Sequence, residues 1–426
     1  FDFPVMGDDS YEKTVYKGQG GVELSSWVRR LLYSYKFSDI NIFISPLITS
    51  ESRIIYDRHI RLISKKIAPF LAYDSDPYMV IDKRGHMVWM QDAYVLSKNY
   101  PYSEPFEGRF NYIRNSVKIT IDAYTGETNY YVADQEDPIV KVFNNILPDL
   151  FKPIGQMPID LKKHIRYPKS LFVVQSQIYK TYHMTNPKVF YNREDVWNIP
   201  FEQEGNTKKV REPYYMILKL PGEETESFIS MIPYTPANKN NMVAWLGVTC
   251  DQTNYGQLNV YKFPKNRTIF GPTQIESRID QNTEISQKLT LWDQSGSGVL
   301  RGNIMIIPIE NSLIYVEPIY LQATQSKLPE LKRIILGYDN TISMGSTLEE
   351  VIEKTFPSKE KKQDNIIRTQ VSVISETDED SSGNSIKRVI GELRNNINQL
   401  KQNISEITKQ LDSALNSVIK YAENTE

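Results

Sequence analysis

Within "GPTQIESRIDQNTEISQKLTLWDQSGSGVLRG", residues 271–302, a carboxylate recurs at every fourth position: Glu276, Asp280 and Glu284. On one continuous helix these side chains share a face, where three carboxylates can coordinate a hard divalent cation or serve a hydrolytic reaction. The same residues also fit local punctuation. "TQIE" matches a capping box in which Thr273 caps the helix and Glu276 reaches back to the Thr273 amide. Asp280 and Asn282 fit the end of one short helix and the N-cap of the next. A break at 281–283 would divide the carboxylate face, so no metal is expected there. "QSGSGVLRG" has the glycines of a phosphate-cradling loop but lacks its lysine and precedes a strand, which fits a helix-to-strand turn.

The remaining reactive groups are dispersed. His59, His86, His164 and His183 lie far apart in sequence and form no HExxH motif. No serine stands in a GxSxG elbow. Cys250 lies in the apolar run "VAWLGVTCD", where burial disfavours a thiolate, and a lone cysteine excludes an internal disulfide or a thiolate zinc cage. No cofactor is expected, and whether the chain is an enzyme stays open. Tyr100, Tyr102, Tyr179 and Tyr182 flank polar turns, where exposed rings can stack on sugars or receive a partner's side chains; tyrosines edging a modest core are the simpler reading.

The elements that must position these groups alternate between helical and strand periods. Residues 1–136 read as N-terminal helices followed by β-hairpins. "LSSWVRRLLYSYKF" sets Trp27, Leu31 and Tyr35 four apart behind Ser25 or Ser26 as N-cap. A second helix is expected in "ITSESRIIYDRHIRLISKKIAPFL" from the stripe Ile55, Ile60, Ile63 and Ile67, ended by Pro69. Hairpins then follow about "DKRGH" and "YTGE". Residues 137–200 read as a helical block opened by Asp137 and Pro138, and 201–356 as a strand-rich block with hairpins about "PGEE" and "EN". The expected fold class is α+β, with mixed antiparallel hairpins and short helices.

Beyond this, 357–384 is charged and poor in apolar residues, as a linker would be. In 385–422, Ile390, Leu393, Ile397, Leu400, Ile404, Ile407 and Leu411 alternate at spacings of three and four, the seam of a long C-terminal coiled-coil helix that would oligomerise or pair with a partner.

Composition narrows the partners. Fifty basic against 52 acidic side chains leave a near-neutral chain without the electrostatic footprint of a nucleic-acid binder. No stretch reaches the roughly 18 consecutive apolar residues of a membrane helix. The first residue is Phe1 rather than methionine, as in a processed protein or an excised fragment.

The runs "NYIRNSVKITIDAYTGETNYYVAD", "RYPKSLFVVQSQIYKTYHMTNPKVFYNREDVW" and "YGQLNVYKFPKNRTIFGPTQIESRIDQNTEISQKLTLWDQSGSGVLRGN" resemble the large soluble part of uncharacterised protein family 0182. The resemblance covers roughly residues 20–356. It implies a bacterial multi-pass membrane protein with this segment on the extracytoplasmic side of the cell membrane, next to membrane-spanning helices that lie outside this chain. It implies no activity, cofactor or catalytic residue. Two functions follow as expectations: an extracytoplasmic interaction and assembly domain, partnered by its own membrane region and by itself or an envelope protein through the coiled coil; or an envelope domain that binds or hydrolyses a glycan, peptide or lipid.

Overall fold

Two aspartates fold the first hairpins locally. Asp82 Oδ1 accepts from the amides of Arg84 and His86, both at 2.8 Å, and Gly85 takes φ 81°. Asp122 Oδ1 accepts from Tyr124 N at 2.9 Å and Thr125 N at 2.7 Å, with Gly126 at φ 78°. A short acceptor side chain followed by a residue that tolerates positive φ is what a tight turn requires.

The computed structural model describes residues 16–357 except 205–206, 221–222, 295, 310–311 and 324–327, together with the backbone of Phe3–Pro4 and Lys13–Thr14. The chain divides into a unit Phe1–Thr355 and a second from Phe356 onward. The expected coiled coil at 385–422, and the expected linker apart from Pro357, lie outside the described residues. The first unit is α+β, built on three larger sheets, three two-stranded ribbons and short helices.

In the first sheet, Phe151–Pro153, Thr128–Val132, Tyr112–Asp122, Met87–Ser97 and Ala72–Tyr73 lie in that order, and Tyr78–Ile81 also pairs with Met87–Ser97. Pairing is antiparallel except between Phe151–Pro153 and Thr128–Val132. Strand side chains alternate between faces. Val117, Ile119 and Ile121 join Ala93, Val95 and Val140 in one core, while Val88, Met90 and Tyr131 join Met157 and Leu161 in another. Ser116, Lys118 and Thr120 are buried as well, so both faces of this strand are covered.

The second sheet runs Trp197–Asn198, Glu226–Pro236, Ala244–Thr249, Leu258–Lys262, with Tyr214–Lys219 also on Glu226–Pro236. Helix Lys169–Tyr182 packs Phe172 against Trp197, Tyr234 and Leu246 on one face. On the other, Ile229, Met231 and Trp245 share a core with Ile306, Tyr315 and Ile335 of the third sheet. That sheet comprises Ser297–Arg301, Ser312–Ala323, Pro329–Tyr338 and Thr341–Gly345, with Met305–Ile309 on Ser312–Ala323. Helix Leu348–Thr355 closes the unit.

The expected second N-terminal helix is shorter than its apolar stripe. Only Ile60–Ile67 is helical, whereas Arg53–Ile54 forms a strand with Val22–Glu23 and Asp57 sits at φ 58°. A residue at positive φ cannot continue a right-handed helix, and adjacent β-branched Ile54 and Ile55 favour extension.

Candidate functional site

The stretch 271–302 contains two helices, Pro272–Gln281 and Thr283–Trp292, with Asn282 between them. Asn282 Oδ1 accepts from Ile285 N at 3.2 Å, so the break expected at 281–283 is present and the three carboxylates do not share one face. The capping register differs from expectation. Gly271 occupies the N-cap, Pro272 begins the helix, and the Gln274 side chain returns to Gly271 N at 2.9 Å. Thr273 is thus inside the first turn, and Glu276 is released from capping. Proline at the first helical position explains the shift, because that position needs no amide hydrogen.

Glu276 and Asp280 enter a network of arginines. Glu276 Oε1 lies 3.8 Å from Nη2 of buried Arg211, whose Nη1 donates to Ile304 O at 2.6 Å. Burial raises the Glu276 carboxyl above its usual range despite Arg211. Asp280 Oδ1 accepts from Arg301 Nη1 at 2.5 Å, while Arg301 holds Glu317 with Nε at 2.5 Å and Nη2 at 3.0 Å. Such two-point pairing fixes direction as well as charge. Glu284 faces elsewhere, paired with Lys288 one turn on at 2.6 Å. The described residues contain no group of three or more possible metal ligands. The arrangement ties the Pro272–Gln281 helix to the third sheet; Glu276, Asp280 and Glu284 stay out of the clefts lined by Trp89, by His183 and by Cys250.

Two other places present unsatisfied chemistry. The first is helix Trp27–Phe37, which Ser26 caps by accepting from Arg29 N at 3.3 Å. Only Ser34 of this helix is buried; Trp27 is 67 % exposed and Tyr35 87 %, and Leu47 beyond it is 75 % exposed. Lys36 lies 3.9 Å above the Tyr56 ring, and Tyr33 and Phe37 meet the same ring, which seats the helix. Between 25 and 67 the chain carries eight lysines and arginines against Asp39, Glu51 and Asp57. The helix thus exposes aromatic and aliphatic side chains and itself carries Arg29, Arg30 and Lys36.

The second is a cleft of about 680 Å³ between the end of helix Lys169–Tyr182 and the loops near 239–243 and 262–268. Lys239, Lys262, Lys265 and Arg267 line it with a single acid, Asp195. At its wall the buried His183 ring stacks on Trp197 with centroids 3.6 Å apart. Sequence reasoning found the helix but not its exposed face, and passed over the cleft. A density of exposed apolar residues is invisible until packing shows what covers them, and the cleft's cations come from separated segments, although "YKFPKNR" already groups three of them.

The tyrosines divide similarly. Tyr179 packs at the edge of the second-sheet core, whereas Tyr102, at φ 57°, and Tyr182 stay exposed.

The model of the Uncharacterised protein family (UPF0182) matches residues 1–292. The chain belongs to this family. A UPF0182 protein of Desulforamulus reducens is 52 % identical over 357 residues, 84 % of this chain and 38 % of the relative. One of Moorella thermoacetica is 49 % identical over 356 residues, 84 % of this chain and 39 % of the relative. One of Trichodesmium erythraeum is 45 % identical over 375 residues, 84 % and 40 % of the two chains. This UPF0182 chain therefore spans about two fifths of the length of these relatives. No solved structure matches it. The family match includes both the exposed helix face and the basic cleft.

Proposed function

We propose that this chain is an extracytoplasmic interaction and assembly domain of an integral bacterial membrane protein, seated against the lipid interface and its own membrane region through the face formed by Trp27–Leu47. The observation that carries this reading is the exposure of Trp27, Leu32, Tyr35, Ile44 and Leu47 on a segment that also carries Arg29, Arg30 and Lys36. Helices that lie in a bilayer interface have this composition: apolar and aromatic groups enter the headgroup boundary, while cations meet anionic lipid. Among the described residues no helix is long and apolar enough to cross a membrane. The coiled-coil seam of Ile390, Leu393, Ile397, Leu400, Ile404, Ile407 and Leu411 supplies self-association or an envelope partner.

Co-sedimentation of the purified chain with phosphatidylglycerol vesicles tests the face. Binding weakened by salt and by the triple substitution Trp27→Ser, Leu32→Ser, Tyr35→Ser is expected, and equal pelleting of the variant would overturn it. Light scattering tests assembly: removal of 385–426 lowers the mass if the seam oligomerises, and an unchanged mass removes that part of the proposal. Hydrolysis by Glu276 and Asp280 is the weaker reading, because arginines hold both carboxylates.

A further inference from the structure

The basic cleft carries an inference independent of the membrane face. Its charge is one-sided, four cations to one carboxylate. Among the described residues, the ammonium groups of Lys239 and Lys265 meet neither a carboxylate nor a hydrogen-bond acceptor. Lys262 is spread over the Trp197 ring at 5.8 Å. Like charges gathered in one concavity repel each other unless an anion joins them, and concave walls concentrate the potential that attracts one.

A second observation comes from His183, whose side chain is 3 % exposed. Nδ1 lies 3.3 Å from the Tyr179 carbonyl, which can only accept, so Nδ1 carries the hydrogen. In the neutral ring Nε2 is then an acceptor, and it has no hydrogen-bond partner. It faces the Asp195 carboxylate, another acceptor, across 3.9 Å. A buried polar atom left unpaired calls for an explanation, and a proton shared with an arriving ligand supplies one.

We propose that this cleft binds a phosphate group, either free or on a larger molecule. A hydrogen phosphate or phosphate monoester offers two negative charges to Lys239, Lys262 and Lys265, which a single carboxylate cannot match. A phosphate hydroxyl can donate towards His183 Nε2, and an unprotonated phosphate oxygen can accept from the protonated ring. Lysines act here as point charges on flexible stems, a mode common in phosphate recognition.

Calorimetric titration of pyrophosphate and of glycerol 1-phosphate into the full chain, in chloride buffer, tests this. One saturable site is expected, with affinity falling at least about tenfold in Lys239→Ala/Lys265→Ala, as loss of two charged contacts implies. Both lysines line an open cleft, and an unchanged melting temperature would show that the variant folds. The His183 Nε2 nitrogen resonance should move on adding pyrophosphate. Phosphatidic acid vesicles form the other arm: displacement by pyrophosphate assigns a lipid headgroup to the same site, and no competition restricts the site to free phosphates. No saturable heat, or equal affinity in the variant, would overturn the proposal.

Discussion

Asp92 and Lys118 are directly opposed residues on neighbouring antiparallel strands of the first sheet, and their side chains meet at 2.5 Å with both buried. Lys118 Nζ also donates to the Tyr255 hydroxyl at 2.7 Å, and that hydroxyl donates to Arg166 O at 3.1 Å. Tyr255 belongs to the connection between strands Ala244–Thr249 and Leu258–Lys262, so this chain of bonds ties the first sheet to the second. An ion pair here gives direction to a junction that apolar packing alone would leave free to slide. Burial acts on Asp92 against Lys118 and raises its carboxyl.

Breaking one side of this pair strands the other charge in the interior. Asp92→Ala should cost about 3–5 kcal/mol in urea unfolding, and Asp92→Leu/Lys118→Met should recover much of that, since matched apolar groups need no compensation. A loss below about 1 kcal/mol for the single variant would show that water reaches Lys118.

Gly271 and Gly298 should differ in their tolerance of alanine. A Cβ at Gly271 would stand 1.8 Å from Asn240 O, whereas one at Gly298 meets nothing within 4 Å. Overpacking predicts a loss of about 1–3 kcal/mol or more for Gly271→Ala and a change within about 0.5 kcal/mol for Gly298→Ala. Thermal melts of the two variants decide this; equal melting temperatures would contradict the close approach.

The capping register can be checked by a pair of substitutions. Asn282→Ala removes a cap that satisfies Ile285 N and should cost about 1 kcal/mol. Thr273→Ala should be close to neutral, because the side chain that accepts from the N-cap amide of Gly271 is that of Gln274. A larger effect at Thr273 than at Asn282 would restore the register read from "TQIE".

Cys250 should behave as an apolar residue. Burial pushes its thiol up to about 11, and its Sγ accepts from Tyr167 N at 3.5 Å. The thiolate is the reactive form, so Ellman's reagent at pH 8 should label Cys250 slowly in the folded chain and rapidly in urea. Immediate labelling of the folded chain would show that the strand opens.

His183 sets a pH dependence whose sign follows from its burial. Desolvation lowers its folded pKa, Lys262 acts in the same direction, and the Tyr179 carbonyl and Asp195 oppose them, beside the stacked Trp197 ring. The unfolded histidine, near 6.5, then binds a proton more readily, so stability is full above that pH and falls as pH drops through it. Between pH 7.5 and 5.5 the urea midpoint of wild type should fall further than that of His183→Gln. Parallel falls in the two proteins would assign the acid sensitivity to other groups.

Several features were legible in the sequence because their causes are local. Asp137 ahead of Pro138 accepts from Ile139 N at 2.9 Å as read, and the turns about "DKRGH" and "YTGE" close where aspartate and glycine require. The division of 271–302 at Asn282 was equally local. Tertiary structure decided the rest. The approach of Asn240 to Gly271 is a long-range contact, and so is the placement of Arg211 beside Glu276, which turned a suspected acid site into an anchor. The cleft depends on bringing His183, Lys239 and the 262–267 segment together. Such groups become neighbours only after sheets pack, because side-chain period states which face a residue occupies and says nothing about what meets that face.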